Sequence, residues 1–436
     1  MKNRIGIRRE DKSPWEKRTP LIPSHLRELT QTHVLEAWLQ PSSIRVFADE
    51  DYKSEGAKIE EDLSSCPVVF AVKEIPLDFF EKGKVYVFFS HTAKGQPHNM
   101  PMLKRMIEKE CTLIDYEKIV DDRGRRLVLF GKHAGLAGMI DTLWALGQKL
   151  LKEGKENPFS RIKQAFQYES LVEGKEEIEK IGWKIHKEGL DSSLVPFLCG
   201  FAGYGNVSQG AQEIFDLLPF EEISPEETSN FFEQRNYSAY RLYKVVFKEE
   251  HMVKPVSSED KFDLQDYYDH PHKYRPVFEP YVPFLTVLVN CIYWEPKYPR
   301  FVTKKFLKEL YKKESSPRLK VIGDISCDVE GSVECTLKST SPDNPVFTYD
   351  PLEEKATDGF DGRGPVIMAV DNLPAELSLE SSVSFSNALK PFVPAIARAD
   401  FIGDFAGCQL PAAIKRAVIL YRGKLTSGYS YMKKFL

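Results

Sequence analysis

Residues 201–218 read FAGYGNVSQGAQEIFDLL, and a change of periodicity inside them decides the fold. The stretch before them, 194–200, is largely apolar and ends in glycine, as a buried strand would. After Gly203-Tyr204-Gly205 the apolar residues Val207, Ala211, Ile214, Phe215 and Leu218 fall on one face of a helix. Strand, glycine turn and helix in that order open a dinucleotide-binding α/β unit. Gly203 permits the tight turn and Gly205 lets the backbone approach a pyrophosphate. Asn206, Val207 and Ser208 then begin a helix whose first N–H groups would face that anion. Ser208 stands where the usual fingerprint has a third glycine, and it is small enough to keep helix and strand close. An acidic residue is expected about twenty residues further on, at the ribose 2′-hydroxyl. Glu221 and Glu222 stand near that distance and favour NAD. Arg235 or Arg241 can instead receive a 2′-phosphate, so the spacing leaves the choice open.

Outward from this stretch the chain keeps alternating strands and helices. On the N-terminal side, strands are predicted at 3–8, 34–39, 67–72, 84–89, 112–114 and 127–130. Helices are predicted at 23–31, with Ser24 as N-cap, and at 99–109. Residues 133–151 form a long apolar helix rich in Ala134, Gly135, Ala137 and Gly138, which suits close contact with a neighbouring layer. On the C-terminal side, strands are predicted at 243–248, 286–290, 320–326 and 366–370. A return helix is predicted at 378–392, and a helix plus tail at 411–436. Residues 221–275 and 328–365 read as polar, Pro-rich surface insertions. The fold class is α/β with mainly parallel sheets.

Composition narrows the function. The 436 residues are 42% hydrophobic and 28% charged, enough for two domains with their own cores. A net charge of -4 excludes wholesale nucleic-acid binding. The seven cysteines contain no CxxC and are odd in number, against a disulfide framework or a zinc site and for a reducing compartment. No metal is expected. The opening MKNRIGIRREDK lacks an apolar h-region and is too acidic for a transit peptide, so a cytoplasmic protein is expected. No apolar run is long enough to predict a transmembrane helix.

Ligands of open α/β sheets gather at the carboxyl ends of strands. VVFAVKEIP ends a predicted strand with Lys73 and Glu74. KVYVFFSHTAKGQ ends one with Ser90, His91 and Lys94. LKVIGDISCD ends one with Asp324, Ser326 and Asp328. A histidine exchanges protons near neutral pH unperturbed, whereas a lysine needs burial or a cationic neighbour to do so. Glu117, in LIDYEKI, is placed to tune that shift. The opening RREDKSPWEKRTPLIP carries Arg8, Arg9, Glu16 and Arg18, and arginine forks suit substrate carboxylates. Arg126, in RGRRLVLFG, is a second candidate of that kind.

Taken in order, IGIRREDKSPWEKRTPLIP, VKEIP, FFSHTAKGQ, LIDYEKIVDDRGRRLVLFG, AGLAGMIDTL, GYGNVSQGAQEIF, IYWEPKYPR, DISCDVEGSVE and AVDNLPAELSLESS resemble the lysine–ketoglutarate reductase half of aminoadipic semialdehyde synthase. The chain is more distantly similar to saccharopine dehydrogenase and alanine dehydrogenase. The resemblance implies two Rossmann-like doubly wound domains with an active-site cleft between them. The substrate domain would be 1–136 plus 376–436, and the dinucleotide domain 137–375. It implies Lys73 and His91 as the acid–base pair, modulated by Glu117, with Arg18, Lys94 and Arg126 on the substrate. Gly203, Gly205, Asn206, Val207, Ser208, Glu222 and Asp328 would hold the cofactor, with NADP(H) favoured and NAD(H) possible. The implied reaction joins lysine and 2-oxoglutarate into saccharopine, or reverses that. A related opine-type dehydrogenase or a catalytically silent nucleotide-binding protein are the alternatives. The chain ends where the reductase half would, so a free-standing first enzyme is expected. Oligomeric state stays open.

Overall fold

The computed structural model describes residues 3–436, which divide into two compact units, 3–130 with 378–436 and 131–377. The predicted division at 136 and 376 differs by a few residues. The helix Gly131–Lys152 begins earlier than its apolar pattern suggests.

In the first unit the described residues form one eight-stranded sheet. Its central strand is Arg4–Ile7, flanked by Glu36–Leu39 and then Lys58–Ile59 on one side. On the other side lie Val68–Phe70, Val85–Phe88 and Thr112–Asp115, all parallel. These strands are nearly unbroken apolar runs because both faces are covered. Ile5, Ile7, Val69, Phe70, Tyr86, Val87 and Phe88 have no exposed surface. The chain order reverses between Arg4–Ile7 and Val68–Phe70, which opens a crevice at their carboxyl ends.

Three expectations change here. The helix Pro23–His33 starts on Pro23 with Ile22 as N-cap, so Ser24 lies inside it and caps nothing. Proline's fixed φ suits the first helical position, which puts the N-cap two residues earlier than Ser24. Residues 127–130 form no strand, and Arg126 just before them makes an isolated bridge to Val120. The predicted C-terminal helix is reduced to Ala412–Arg416. After it the buried β-prone run Val418–Tyr421 pairs antiparallel with Thr112–Asp115.

The second unit also carries an eight-stranded sheet among the described residues. From one edge it runs Phe220–Glu222, Leu242–Phe247, Leu198–Ala202, Val287–Asn290, Val321–Asp324 and Val366–Met368, all parallel. The antiparallel strands Val346–Asp350 and Lys355–Asp358 complete the other edge. The two predicted insertions therefore build sheet. Residues 221–275 include the strand predicted at 243–248, which lies one place in from the sheet edge, and 328–365 include an edge hairpin. An unpredicted helix, Leu171–Glu188, is capped by the Ser170 hydroxyl and buries Ile178, Ile181 and Ile185.

The glycines of Gly131–Lys152 have a packing reason. A Cβ on Gly135 would overlap the Val207 carbonyl oxygen, and one on Gly210 would overlap that of Lys132. The helix Asn206–Phe215 thus lies against Gly131–Lys152 at backbone contact, which fixes where its N-terminus points.

Candidate active-site residues

In the first unit the side chains singled out in the sequence leave from the carboxyl ends of adjacent strands. Lys73 and Glu74 follow Val68–Phe70, His91 follows Val85–Phe88, and Glu117 follows Thr112–Asp115. The central strand Arg4–Ile7 continues into the segment holding Glu10, Lys12, Glu16 and Arg18.

His91 has a left-handed backbone, φ 47°, and its carbonyl accepts from Asn99 Nδ2 at 3.2 Å. Its Nδ1 lies 2.7 Å from Glu74 Oε1. The other Glu74 oxygen receives Lys12 Nζ at 2.8 Å. Burial pushes the Glu74 carboxyl up, but the hydrogen bonds and charges of His91 and Lys12 outweigh it and hold it well below the usual carboxylate range. A carboxylate that stays ionised fixes the imidazole with its proton on Nδ1, so exchange with a substrate falls to Nε2.

Lys73 is half-buried, and its pKa is lowered, first by burial and then by the Arg18 charge, against the pull of Glu16 and Glu74. Arg18 itself is buried. Its Nε and Nη2 fork onto the two Glu16 oxygens at 2.7 and 2.6 Å, and its guanidinium lies 4.2 Å from the Phe130 ring centroid. The arginine expected to grip a substrate carboxylate instead spends its fork on Glu16. Its charge is felt by Lys73.

Glu117 pairs with Arg126 Nη2 at 2.5 Å. Burial raises its carboxyl, and Arg126, then His91, bring it below its ordinary value. Of the two residues expected as the acid–base pair, His91 is the one whose charge lowers Glu117, and Arg126 is engaged by Glu117. Lys94 is exposed on the loop after His91. That loop is held by the C-terminal segment: Tyr431 Oη donates to the Ala93 carbonyl at 2.7 Å, and a Cβ on Gly95 would stand 2.6 Å from the Phe435 ring.

Glu10 was not singled out in the sequence. It is 6% exposed and accepts the backbone N–H of Val72 at 2.6 Å and of Lys73 at 3.0 Å, one on each oxygen. It therefore pins the backbone from which Lys73 departs. Burial, with Glu16 adding to it, pushes its carboxyl up to about 7. A lone glutamate three residues past a strand carries no sequence signal for this.

In the second unit Gly203 is left-handed, φ 97°, and its N–H donates to the Phe247 carbonyl at 2.9 Å. Gly205 is the N-cap of Asn206–Phe215 with ordinary φ -74°, and nothing lies within 4 Å of where its Cβ would stand. The fold does not require a glycine there. The open space sits over the helix N-terminus, which fits a pyrophosphate. Asn206 and Val207 form the first turn. Ser208 is buried and accepts from Gln212 Nε2 at 2.9 Å. Asp328 lies in the turn after Val321–Asp324, its carbonyl accepting from the Gly331 N–H at 2.8 Å. Asp324, by contrast, is buried and takes up Asn290, Thr336 and the Cys327 N–H, a structural knot.

Glu222 is displaced from its expected place. Its strand is the sheet edge, outside Leu242–Phe247, and Glu222 pairs in register with Lys244. The strand beside the glycine turn is Leu242–Phe247, with Ala202 opposite Phe247. Three residues at about 3.3 Å each put Glu222 roughly 10 Å back from the carboxyl edge. Counting twenty residues lands on the wrong strand because the chain visits the edge first.

Two doubly wound sheets, with a glycine turn in the second, define a fold of the alanine dehydrogenase class. The structure matches an L-alanine dehydrogenase with a TM-score of 0.61 at 16% identity, covering 99% of this chain and 98% of that one. It matches a transhydrogenase from Sinorhizobium meliloti with a TM-score of 0.55 at 12% identity, covering 97% and 98%. Residues 6–137 match the family described as alanine dehydrogenase/PNT, N-terminal domain.

In sequence the chain is similar to alpha-aminoadipic semialdehyde synthase. It is 39% identical to the Arabidopsis thaliana protein over 99% of its own length and 41% of that protein's. To the Bos taurus mitochondrial protein it is 34% identical over 99% and 47%. The chain thus spans a little under half the length of these relatives. It is also 27% identical to saccharopine dehydrogenase [NAD(+), L-lysine-forming] of Emericella nidulans, covering 89% of this chain and 91% of that protein.

Proposed function

We propose that this chain is a nicotinamide-dinucleotide-dependent reductase that joins the ε-amine of lysine to 2-oxoglutarate, giving saccharopine, and runs the reverse reaction with the same groups. The observation that carries this is the paired arrangement on the first unit. A lysine with a lowered pKa and a histidine oriented by an ionised carboxylate leave neighbouring strand ends. Secondary-amine formation needs both. A neutral Lys73 accepts a proton from the incoming amine as nitrogen bonds to the carbonyl carbon. His91, protonated at Nε2, gives its proton to the carbonyl oxygen as that oxygen becomes a hydroxyl, and Lys73 returns the proton it took from the amine to this hydroxyl as it leaves as water. Burial, and then the Arg18 charge, make Lys73 less basic than an ordinary lysine, and Glu74 keeps the imidazole in one orientation. Lys94 and Arg126 offer cations for the oxo acid's carboxylates. A reduced dinucleotide supplies the hydride that the imine carbon needs. Gly203, Gly205, Asn206, Val207 and Ser208 are the residues that would hold its pyrophosphate, and Asp328 follows Val321–Asp324, the next strand but one in the same sheet.

The family resemblance favours NADP(H). The protein's own residues at the ribose position bear on that choice. The seven unpaired cysteines favour a reducing compartment such as the cytoplasm, whereas the cattle relative is titled mitochondrial. Among the described residues no helix is long and apolar enough to cross a membrane.

Oxidation of NADH and NADPH, followed with lysine plus 2-oxoglutarate and with each omitted in turn, tests the reading. Turnover should require both. Turnover with another amine and oxo acid, and none with these two, would replace the substrates. No turnover on any such pair would refute the enzyme.

A further inference from the structure

The strand order of the second unit moves the ribose-binding position. In a doubly wound unit the residue that meets the adenosine ribose stands at the carboxyl end of the strand next to the glycine-turn strand. Here that strand is Leu242–Phe247, bonded to the glycine turn itself through Gly203 N–H and the Phe247 carbonyl at 2.9 Å. The residues that follow it are Lys248, Glu249, Glu250 and His251.

Glu249 is the one aimed and held. Tyr268 Oη donates to its Oε1 at 2.7 Å. Tyr204, the residue between the two glycines, is also in hydrogen-bond reach of it. Burial first, then the Glu249 charge and hydrogen bond, raise the Tyr204 phenol above its ordinary value. Glu249 thus stands beside the turn that would carry the pyrophosphate, and it is only partly exposed. Around it, His251 uses Nδ1 to accept from the Lys248 N–H at 2.9 Å and turns Nε2 to Glu226, 3.1 Å away. Lys248 and Glu250 are exposed. Carboxylates at 226, 249 and 250 face one lysine and a histidine already paired to Glu226.

We propose that Glu249, and not Glu221 or Glu222, accepts the hydroxyls of the adenosine ribose, and that it makes this site prefer NAD(H) over NADP(H). The inference rests on reading the Gly203–Gly205 turn as a dinucleotide site. A carboxylate accepts two ribose hydroxyls as charge-assisted hydrogen bonds. A 2′-phosphate in the same place replaces a donor with a dianion beside that carboxylate, and like charges so placed are strongly disfavoured. The preference is therefore opposite to the one the family resemblance favours.

Binding without substrates tests this, read as quenching of protein fluorescence or by calorimetry. The wild-type protein should bind NADH at least about tenfold more tightly than NADPH. Glu249→Gln keeps an acceptor for Tyr268 but loses the charge, and should bring the two affinities within about threefold of each other. The double variant E221Q/E222Q should keep the wild-type ratio. Tyr268→Phe, which frees the carboxylate to swing, should weaken NADH while leaving NADPH unchanged. Equal or tighter binding of NADPH by the wild type, or an unchanged ratio in Glu249→Gln, would overturn the assignment while the dinucleotide reading survived. Failure of the wild type to bind either dinucleotide would overturn both.

Discussion

Lys73 and His91 are set up in opposite ways. The lysine is made less basic by burial and by the Arg18 charge, and the histidine is oriented by the ionised Glu74. Replacing either removes a proton carrier without emptying the core. His91→Ala and Lys73→Met should each lower turnover roughly 10²–10⁴-fold while NADH affinity stays within a few-fold, measured by steady-state kinetics and titration. Wild-type turnover in either variant would remove that residue from the mechanism. Glu10 acts one step behind. Its glutamine variant offers one acceptor to two N–H groups, so one of Val72 and Lys73 loses its partner and the Lys73 backbone loosens. The carboxyl is raised from 4.5 to about 7 in the fold. A raised acid binds its proton more tightly folded than unfolded. Its stabilising contribution is therefore complete below the ordinary carboxylate range and is lost as pH rises through about 7. Glu10→Gln has no such proton to lose. Urea unfolding from about pH 5 to about pH 8 should move the stability difference toward the variant by roughly 1–3 kcal/mol. A pH-independent difference would contradict the raised value. Of these residues the sequence exposed Lys73, His91 and Arg18 by position after strands. It could not expose the Glu16 fork or the Glu10 clamp, because both are contacts between a loop and its own surroundings.

At the scale of elements, the glycines separate packing from binding. Gly135 and Gly210 sit where the two helices touch backbone to backbone, whereas Gly205 has open space on its Cβ side. Gly135→Ala or Gly210→Ala must push the helices apart and should cost about 3 kcal/mol or more, read by chemical denaturation. Gly205→Ala should leave stability within about 0.5 kcal/mol, because its φ is ordinary, yet weaken NADH at least about tenfold by filling the pyrophosphate's space. Loss of stability in Gly205→Ala, or unchanged binding, would mean the gap is not a ligand site. Element prediction worked where apolar period was strong, as at Arg4–Ile7, Leu198–Ala202 and Gly131–Lys152. It failed at Leu127–Phe130, where apolar residues pack beside Arg18 and Phe385 without a strand partner. It also failed at Val418–Tyr421, whose identity as a strand depends on Thr112–Asp115 being available far away in sequence. It also missed Leu171–Glu188, although Ile178, Ile181 and Ile185 follow helical spacing behind a serine cap.

For the whole molecule, each compact unit carries its own apolar core, the second in two clusters on either side of its sheet. Fold class could be read from alternation alone because every parallel strand needs a crossover. Strand order could not, since nothing in the sequence shows that the short exposed strand at 220–222 takes the sheet edge and the buried one at 242–247 the place beside the glycine turn. That ambiguity is what carried the ribose expectation to Glu222. The residues expected to hold the dinucleotide all lie in 131–377, so its binding free energy belongs to the unfolding of that unit. NADH at a hundredfold excess over its Kd should stabilise the transition that unfolds 131–377 by about 2.7 kcal/mol. Hydrogen exchange should locate the effect, with amides slowed at 203–208 and at 247–251. Protection at 247–251 follows only if the Lys248–His251 segment closes on the ribose. Protection at 220–223 with none at 247–251 would return the ribose to the edge strand and sink Glu249.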